Sequence, residues 1–156
     1  MNLETQWIVG FVDGEGCFHI GISKHKEMSS GYQIIPEFVV TQHKRNISVL
    51  YGIKKVMKNR GVVRKNKATY QFRVRKLSEL KDVVLPFFEK HSLKTDKKID
   101  FLGFRDVVHM MLNKEHLTPE GFQKIQAIQS RTNRKQLPEL VHSSESTDQH
   151  SEITEE

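Results

Sequence analysis

The sequence has few of the features that mark a secreted or membrane-spanning protein. It contains one cysteine, Cys17, so no disulfide can form within the chain, and a lone thiol fits a reducing compartment. The apolar run Trp7–Val12 is far shorter than the about 20 residues that a membrane-spanning helix needs. Residues 1–6 show neither a secretory leader nor an Arg-rich presequence. We therefore expect a protein that is not secreted and has no membrane partner.

Positive charge from Lys and Arg is missing from the last part of the chain. All 25 Lys and Arg residues precede residue 137, where they face 13 acids, whereas residues 137–156 contain six acids and no Lys or Arg. The net charge of +12 over residues 1–136 indicates a polyanionic partner, although ribosomal and lipid-surface proteins are also basic. We predict a single domain over residues 1–136 and an acidic, disordered tail over residues 137–156.

The motifs of several kinds of catalysis are also missing. The sequence has no phosphate-binding loop and no nucleophile elbow. Its eight histidines show no zinc-binding spacing. Nothing in the sequence marks a base for Cys17, so a Cys–His hydrolase is not indicated and Cys17 is predicted to pack.

The segment Trp7–Phe18, WIVGFVDGEGCF, is the most informative part of the chain. An apolar run is followed by two acids, Asp13 and Glu15, in a glycine-rich exit, and a strand-like stretch begins directly after them. Such a segment can carry a carboxylate out of a buried helix and present it to a cation. From the spacing alone, a cation-binding helix end and a buried helix that ends in a polar Asp-Gly turn are about equally well supported.

Hydrophobic periodicity predicts helices and strands in alternating order. The predicted helices are 3–13, 46–59, one capped by Ser78 and kinked or restarted at Pro86, 94–112, and one that starts at Thr118-Pro119. The predicted strands are Cys17–Lys24, Tyr32–Gln42, Val62–Lys65 and Ala68–Lys76. Pro36 indicates an edge position or a local distortion, because proline cannot donate to a strand ladder. This order predicts an α+β fold, an αββαββα core with a four-stranded antiparallel sheet covered by helices on one face.

Alternation along the strands separates an apolar face from a polar face. The polar face carries donors, acceptors and cations: His19, Ser23, Gln33, Glu37, Thr41, Arg64, Asn66, Thr69, Gln71, Arg73 and Arg75. Side chains of Arg, Gln, Asn and Thr read base edges in the major groove, which admits β-strands. A solvated surface would explain any single strand better, but four strands together favour a DNA-binding face.

Two groups of DNA contacts are expected. Gln33, Gln71 and Arg73 are predicted to face base edges, because they lie on the polar side of their strands. Arg131, Arg134 and Lys135 are predicted to grip phosphates, because they follow the last helix in a charged, irregular stretch.

The segment Ile8–Gly16, IVGFVDGEG, resembles the signature of the LAGLIDADG homing endonucleases. The similarity extends to Phe38–Gln42, at the end of the second strand, and to Ser92–Lys94, which is similar to the family's catalytic lysine region. Thr118–Lys135 looks like the family's last helix and basic exit. The resemblance covers roughly residues 5–135, and it is to the single-motif branch, which includes homodimeric enzymes encoded in organellar rRNA introns.

The resemblance implies a site-specific endonuclease that makes a staggered double-strand cut in a long pseudo-palindromic DNA site by metal-dependent phosphodiester hydrolysis. Carried over by position, Glu15 is the metal ligand and Gly14 offers its backbone carbonyl to the same ion. Gln42 and Lys94 border the active site, where Gln42 orders water and Lys94 stabilises charge at the phosphate. Asp13 matches a motif acid with a structural role. Many members have Asp at the position of Glu15, so the metal preference stays open.

The implied cofactor is Mg²⁺, with Mn²⁺ as an alternative, and the implied partners are double-stranded DNA and a second copy of the chain. One carboxylate per chain is too small a ligand set for Mg²⁺. Two Glu15 side chains together with DNA phosphates would make the ligand set adequate. Trp7, Gly10 and Phe11 are predicted at the dimer interface, because the first helix is apolar on most sides and Gly10 permits close approach. The expected location is a chloroplast or mitochondrion if the gene is organellar, and otherwise the bacterial cytoplasm.

Two other functions stay open from the sequence. One is a DNA-binding regulator of the same fold that does not cleave, and the other is an intron maturase that binds structured RNA. Glu15, Gln42 and Lys94 together argue against a lost active site. The strand aromatics Phe18 and Phe38 fall on the covered face, as do Tyr70 and Phe72, whereas RNA-binding modules often stack bases on exposed aromatics.

Overall fold

The computed structural model describes residues 1–132. The predicted domain boundary at residue 136 and the predicted tail over residues 137–156 lie outside the described residues. The elements in chain order are α1 (Thr5–Glu15), β1 (Gly16–Lys24), β2 (Tyr32–His43), a 3-10 turn (Lys44–Asn46), α2 (Ile47–Val56), β3 (Val62–Asn66), β4 (Thr69–Val74), α3 (Leu77–Glu79), a π-helical segment (Leu80–Val84), α4 (Leu85–Lys90), α5 (Lys97–Leu112), a 3-10 turn (Glu115–Leu117) and α6 (Pro119–Thr132).

Helix α1 packs one side against the core and passes directly into β1. Its buried residues are Ile8, Val9 and Val12. The helix ends because Gly16 adopts extended backbone, with φ −82° and ψ 160°, while its N–H still donates to the Val12 carbonyl. A Cβ on Gly16 would lie 2.6 Å from Val12 Cγ1 and 2.9 Å from the Val12 carbonyl oxygen. Only glycine therefore permits this tight passage from helix to strand.

The four strands form one antiparallel sheet in the order β1-β2-β4-β3. Its covered face contains Phe18, Phe38 and Phe72, which are almost fully buried. The rings of Phe88 and Phe104, from α4 and α5, pack against Phe18 with centroid separations of 5.4 Å. Burial of several aromatic side chains between sheet and helices supplies the main apolar contribution to stability. The predicted α+β fold, with a four-stranded antiparallel sheet covered on one face, is confirmed.

Pro36 was predicted at an edge or at a local distortion; it lies in β2, an inner strand, at a part of that strand that pairs on one side only. Pro36 pairs with Ile20 of β1, but the pairing of β2 with β4 begins only at Phe38 opposite Val74. The side of β2 away from β1 therefore has no strand partner at Pro36 in the described sheet, and a proline without an N–H is tolerated at such an incompletely paired position.

Several predicted helix bounds differ from those in the structure. The helix predicted over 46–59 ends at Val56, because Lys58 and Asn59 adopt positive φ angles of 52° and 58°. The helix predicted over 94–112 begins at Lys97, where the Lys97 N–H donates to the Thr95 hydroxyl. Lys94 therefore lies before this helix and not at its start.

The prediction for Ser78 is wrong, because the helix has already begun at Leu77 with Lys76 as its N-cap. The helix then continues through the π-helical segment into α4. Pro86 follows this wider turn directly, and a π-helical turn is one of the ways in which a helix accommodates a local disturbance of its hydrogen bonds. Among the described residues, no helix is both long and apolar enough to cross a membrane.

Candidate active site and nucleic-acid interface

The carboxyl end of α1 brings an acidic residue to the rim of the sheet. Gly14 and Glu15 are exposed, and Glu15 directly precedes Gly16, which pairs with Val40 of β2. Within residues 1–132, the Glu15 carboxylate receives no hydrogen bond and no ion pair. Negative charge is disfavoured at the carboxyl end of a helix, where the dipole is itself negative. The bare Glu15 carboxylate therefore costs stability in the isolated chain and is available to a cation.

Asp13, two residues earlier, has the opposite environment. Its carboxylate accepts hydrogen bonds from the backbone N–H groups of Lys94 (2.9 Å) and Thr95 (3.2 Å) and from the Thr95 hydroxyl (2.8 Å). Partial burial alone would raise the pKa of Asp13, but these hydrogen bonds and the charge of Lys97 outweigh it and lower the pKa below its ordinary value of 3.8. The structural role predicted for Asp13 agrees with these contacts, which fasten the segment before α5 to the end of α1.

Two lysines of this segment lie near the candidate site. Lys94 is exposed, and in the described part of the chain its side chain makes no hydrogen bond, so its predicted catalytic role stays a prediction. The ammonium of Lys97 donates to the carbonyl of Gly16, the residue after Glu15. Lys97 was not among the residues predicted from the sequence. The available signal was a lysine at the first position of α5, where the helix dipole disfavours a cation.

Gln42 lies two residues beyond Val40 on β2, at the end of the sheet where α1 meets β1. It shares the side of β2 that carries Phe38 and Val40, and its Oε1 accepts a hydrogen bond of 3.2 Å from Asn46 Nδ2. The structure therefore brings Gln42 to the same end of the sheet as Glu15 and fixes its amide orientation.

A divalent metal fits this site only in part. The Glu15 carboxylate and the Gly14 carbonyl are oxygen ligands of the kind that Mg²⁺ prefers. Among the described residues, no three His, Cys, Asp or Glu side chains lie close enough to hold a metal ion. Residues 1–132 of one chain therefore offer only part of the ligand set that a metal site would need.

Strand register places the predicted DNA-binding residues on one open face of the sheet. Paired positions across strands include His19 with Glu37, Ser23 with Gln33, Thr41 with Gln71, Gln71 with Arg64, and Asn66 with Thr69. Arg73 pairs with Val39 and Val62 on the same face. Arg75 follows the last residue of β4 and bonds to Glu37 on this face. All eleven predicted sheet residues are therefore brought together, although no contact in the structure tests DNA binding.

Several of these side chains already bond to one another. Gln71 Nε2 donates to Thr41 Oγ1 at 3.2 Å, and Arg64 Nη2 donates to Gln71 Oε1 at 3.4 Å. Arg75 donates to Glu37 Oε2 through Nε at 3.0 Å and through Nη2 at 2.8 Å. These cross-strand bonds were not foreseen. They fix the side chains before any ligand arrives, which lowers the entropy cost of binding.

Arg73 stands apart from these bonded neighbours. Its Nε is buried and has no hydrogen-bond partner in the described structure. Burial, and then the nearby charges of Arg75 and Arg64, lower the pKa of Arg73, while Glu37 raises it. The guanidinium nevertheless stays charged at any physiological pH, because a guanidinium loses its proton only in strongly alkaline solution.

The outward side of α1 carries the residues predicted at a dimer interface. Trp7 is 44% exposed and its ring stacks on Phe11 with a centroid separation of 4.8 Å. A Cβ added at Gly10 or at Gly14 would have no atom of the chain within 4 Å. This side thus carries two aromatic rings and two glycines, and Glu15 follows at the end of the helix.

The predicted phosphate-gripping residues are only partly covered by the structure. Arg131 is exposed in the last turn of α6. Arg134 and Lys135 lie outside the described residues.

The predicted cap of α6 is confirmed, because the Thr118 hydroxyl accepts a hydrogen bond of 3.1 Å from the Gly121 N–H.

Curated proteins that are similar in sequence to this chain include proteins named as endonucleases. The "Probable intron-encoded endonuclease 2" of Neurospora crassa is 31% identical over 126 residues, which are 80% of this chain and 28% of that protein. The "DNA endonuclease I-CeuI" of Chlamydomonas moewusii is 27% identical over 70% of this chain and 53% of its own length. The chain thus spans between about a quarter and a half of these curated relatives.

Solved structures of homing endonucleases share the fold. The crystal structure of I-TnaI matches with a TM-score of 0.81 and 52% identity, over 85% of this chain and 90% of that one. I-SmaMI, solved bound to its uncleaved DNA target with calcium ions, matches with a TM-score of 0.82 and 33% identity, over 85% of this chain but 45% of that one.

The sequence model of the LAGLIDADG endonuclease family matches residues 8–108. This range runs from the first buried residue of α1 into α5, so it includes the acidic end of α1, the whole sheet and both lysines that precede or begin α5. The chain therefore belongs to the LAGLIDADG endonuclease family.

Proposed function

We propose that this protein is a site-specific homing endonuclease that binds a long pseudo-palindromic DNA site and makes a staggered double-strand cut by metal-dependent phosphodiester hydrolysis. The observation that carries the proposal is the position of Glu15. Its carboxylate is unpaired in the described chain and stands where the outward side of α1 meets the inner end of the open sheet face. A duplex held on that face would place a phosphate beside Glu15.

The residues at this end of the sheet divide the chemistry between them. Glu15 and the Gly14 carbonyl hold a divalent cation, Mg²⁺ or Mn²⁺, which when bound supplies activation of the attacking water and neutralisation of the leaving oxygen. Gln42, held by Asn46, orients water near the phosphate. Lys97 presents a positive charge one residue from Glu15, and Lys94 is the alternative source of that charge. A fixed positive charge stabilises the transition state as negative charge develops on the phosphate.

A symmetric dimer completes the site. Residues 1–132 have one acidic motif and no group of three side-chain ligands for a metal, so two copies of Glu15 near a two-fold axis would complete the ligand set. The outward side of α1, with Trp7, Gly10 and Phe11, supports helix-to-helix contact that ends at Glu15. The match to I-SmaMI supports the same idea, because this chain covers 45% of that DNA-bound protein.

The buried aromatics disfavour RNA binding by base stacking. Phe18, Phe38 and Phe72 are 0–2% exposed beneath the helices. The open face of the described sheet instead presents hydrogen-bonding side chains, which suit the edges of paired bases in a major groove. Intron-encoded relatives, including a Podospora anserina protein from an ND4 intron, support an organellar gene and hence a mitochondrial or chloroplast location.

The test is a cleavage assay with the full chain and Mg²⁺. The substrate is a duplex spanning the exon junction that flanks the intron containing the gene, and a duplex of shuffled sequence is the control. We expect two staggered nicks in the junction duplex and none in the control. Binding of the junction without cleavage in Mg²⁺ or Mn²⁺ would indicate a DNA-binding regulator instead. Binding of the intron transcript but not of the duplex would indicate a maturase.

A further inference from the structure

One line of residues crosses the whole open face of the sheet. Cys17 pairs with Val39, Val39 pairs with Arg73, and Arg73 pairs with Val62. We call these four residues the Arg73 row. Three of the four are apolar or weakly polar, whereas the neighbouring row toward Glu15 contains Thr41, Gln71 and Arg64. The Arg73 row therefore offers one strong hydrogen-bond donor on an otherwise apolar strip.

The donor of this row is unsatisfied, while the polar side chains around it are occupied. Gln71 bonds to Thr41 and Arg64, and Glu37 bonds to Arg75. Arg73 Nε is buried without a partner in the described structure. Val39, the strand partner of Arg73, is only 9% exposed although it belongs to the open face, so the row is screened from solvent next to Arg73.

An arginine in this situation gains by rising toward a ligand. A buried N–H without a partner costs free energy, and the cost disappears when the guanidinium leaves the sheet and finds acceptors. β4 is one of the two inner strands of the sheet, so Arg73 faces the floor of a groove lying on the sheet. Phosphates line the rims of a groove, and base edges form its floor.

We propose that the Arg73 row reads a guanine and a neighbouring thymine in the major groove of the target DNA, with Arg73 donating to O6 and N7 of the guanine and Val62 contacting the C5-methyl group of the thymine. The proposal rests on the proposed function and adds a base assignment to it. A guanidinium matches the two acceptors of guanine, and the thymine methyl is the apolar group of the major groove. Val62 is 47% exposed, so it is accessible to that methyl group.

The register also places this contact along the half-site. Rows on one face are two residues apart, about 6.8 Å along a strand. This step corresponds to about two base pairs of DNA at 3.4 Å each. The Arg73 row lies two rows outward from Thr69 and Asn66, the innermost pair of β3 and β4. The guanine is therefore expected about four base pairs outward from the innermost sheet contacts, once in each half-site.

The experiment starts from a library of duplexes with inverted-repeat random half-sites. The full-length protein selects bound duplexes, and sequencing should recover one guanine beside one thymine in each half. In the recovered site, 7-deazaguanine then replaces that guanine and deoxyuridine replaces that thymine. We expect 7-deazaguanine to weaken binding about 5- to 150-fold and deoxyuridine to weaken it about fourfold.

Variants connect each base to its residue. Arg73→Met should lose the response to 7-deazaguanine, whereas Arg73→Lys, which can still donate to N7 but lacks the planar fork, should keep part of it. Val62→Ala should lose the response to deoxyuridine. Gln33→Ala, at the outer end of the sheet, is the matched control, and it should change preference at another position while keeping the 7-deazaguanine response.

The outcomes separate this inference from the proposed function. A wild-type protein that selects no duplex would contradict the proposed function itself. A wild-type protein that selects and cuts a duplex, while Arg73→Met and Arg73→Lys keep the full 7-deazaguanine response, would overturn only the assignment of the Arg73 row. Equal binding of an RNA duplex of the same sequence would also overturn it, because the major groove of A-form RNA is too narrow for side chains.

Discussion

The two sides of α1 differ in how many contacts they make within the described chain. The inward side is complete, because Ile8, Val9 and Val12 are buried and Asp13 accepts three hydrogen bonds from the segment before α5. The outward side, with Trp7, Gly10 and Glu15, is exposed and makes few contacts in the described chain. The same eleven-residue helix therefore combines a folding surface with an exposed surface, which the proposed dimer would cover.

The two acids show this difference most clearly. Both lie near the negative end of the helix dipole, which disfavours each of them. Asp13 is compensated within the chain by backbone N–H groups, a hydroxyl and the charge of Lys97. Glu15 has no such compensation among residues 1–132. A carboxylate that the fold leaves uncompensated is the better candidate for a metal ligand, and the compensated one is a structural group.

The largest effect is expected from Glu15→Gln. If Glu15 holds the catalytic cation, this variant loses several kcal/mol of transition-state stabilisation, about a thousandfold or more in cleavage rate. DNA affinity should stay within about tenfold, because binding rests on many other contacts. Single-turnover cleavage and a binding titration measure both quantities.

Glu4→Gln is the matched control, since it makes the same change at the other end of α1 and should leave cleavage unaltered. Glu15→Asp should restore cleavage with a changed preference between Mg²⁺ and Mn²⁺. Near wild-type cleavage by Glu15→Gln would remove Glu15 from the mechanism and end the contrast with Asp13.

The next effect is expected from Gly10→Leu. The new side chain meets no atom of its own chain within 4 Å, so the fold should keep its melting temperature. Two α1 helices could no longer approach closely, and we expect the dimer to weaken about a hundredfold, the result of about 3 kcal/mol of lost packing and added strain. Analytical ultracentrifugation measures the dimerisation constant.

Ala127→Leu, on an exposed position of α6, adds a leucine to a helix surface away from α1 and serves as the control. A catalytically competent wild-type monomer, or a Gly10→Leu dimer of unchanged affinity, would show that the outward side of α1 is not the interface.

The third prediction concerns Lys94 and Lys97, which lie near the acidic end of α1. Lys97→Met should slow single-turnover cleavage by about tenfold or more, because it removes a positive charge that lies one residue from Glu15. Lys94→Met makes the same chemical change on an exposed side chain, and we expect the smaller effect there. The reverse order of effects would support the role predicted for Lys94 from the sequence, and an unchanged rate in both variants would exclude both lysines.

The sequence was sufficient to predict the layers of the fold. Alternation in the four strands separated Phe18, Phe38 and Phe72 from the polar residues, because the period of a strand fixes the face of each side chain. The acidic end of α1 was also visible, because a change from apolar to glycine-rich and acidic sequence marks a helix terminus.

Details that depend on contacts between distant segments could not be predicted. The start of α5 shifts to Lys97 because Asp13, more than eighty residues earlier, holds the N–H groups of Lys94 and Thr95. The bond of Gln71 to Thr41 depends on cross-strand register, which no single strand encodes. In both cases a contact between distant segments sets the positions of the side chains. Both contacts lie in the proposed active site or DNA-binding face.

The smallest effect is expected from Asp13→Asn, which tests the inward side of α1. The asparagine keeps the size but accepts fewer and weaker hydrogen bonds, so we expect a loss of about 1 kcal/mol of stability at neutral pH. The pKa of Asp13 is lowered in the folded state, so its contribution is present above the ordinary value of 3.8 and is lost as the pH falls through the folded value. The difference between wild type and variant should therefore shrink below pH 4, as measured by urea unfolding at several pH values.

Asp82→Asn, on an exposed side chain without a described hydrogen bond, should show no such difference at any pH. If Asp13→Asn were as stable as wild type at neutral pH, the inward side of α1 would not depend on its charge, and the two acids of the motif would not differ in the way that their contacts indicate.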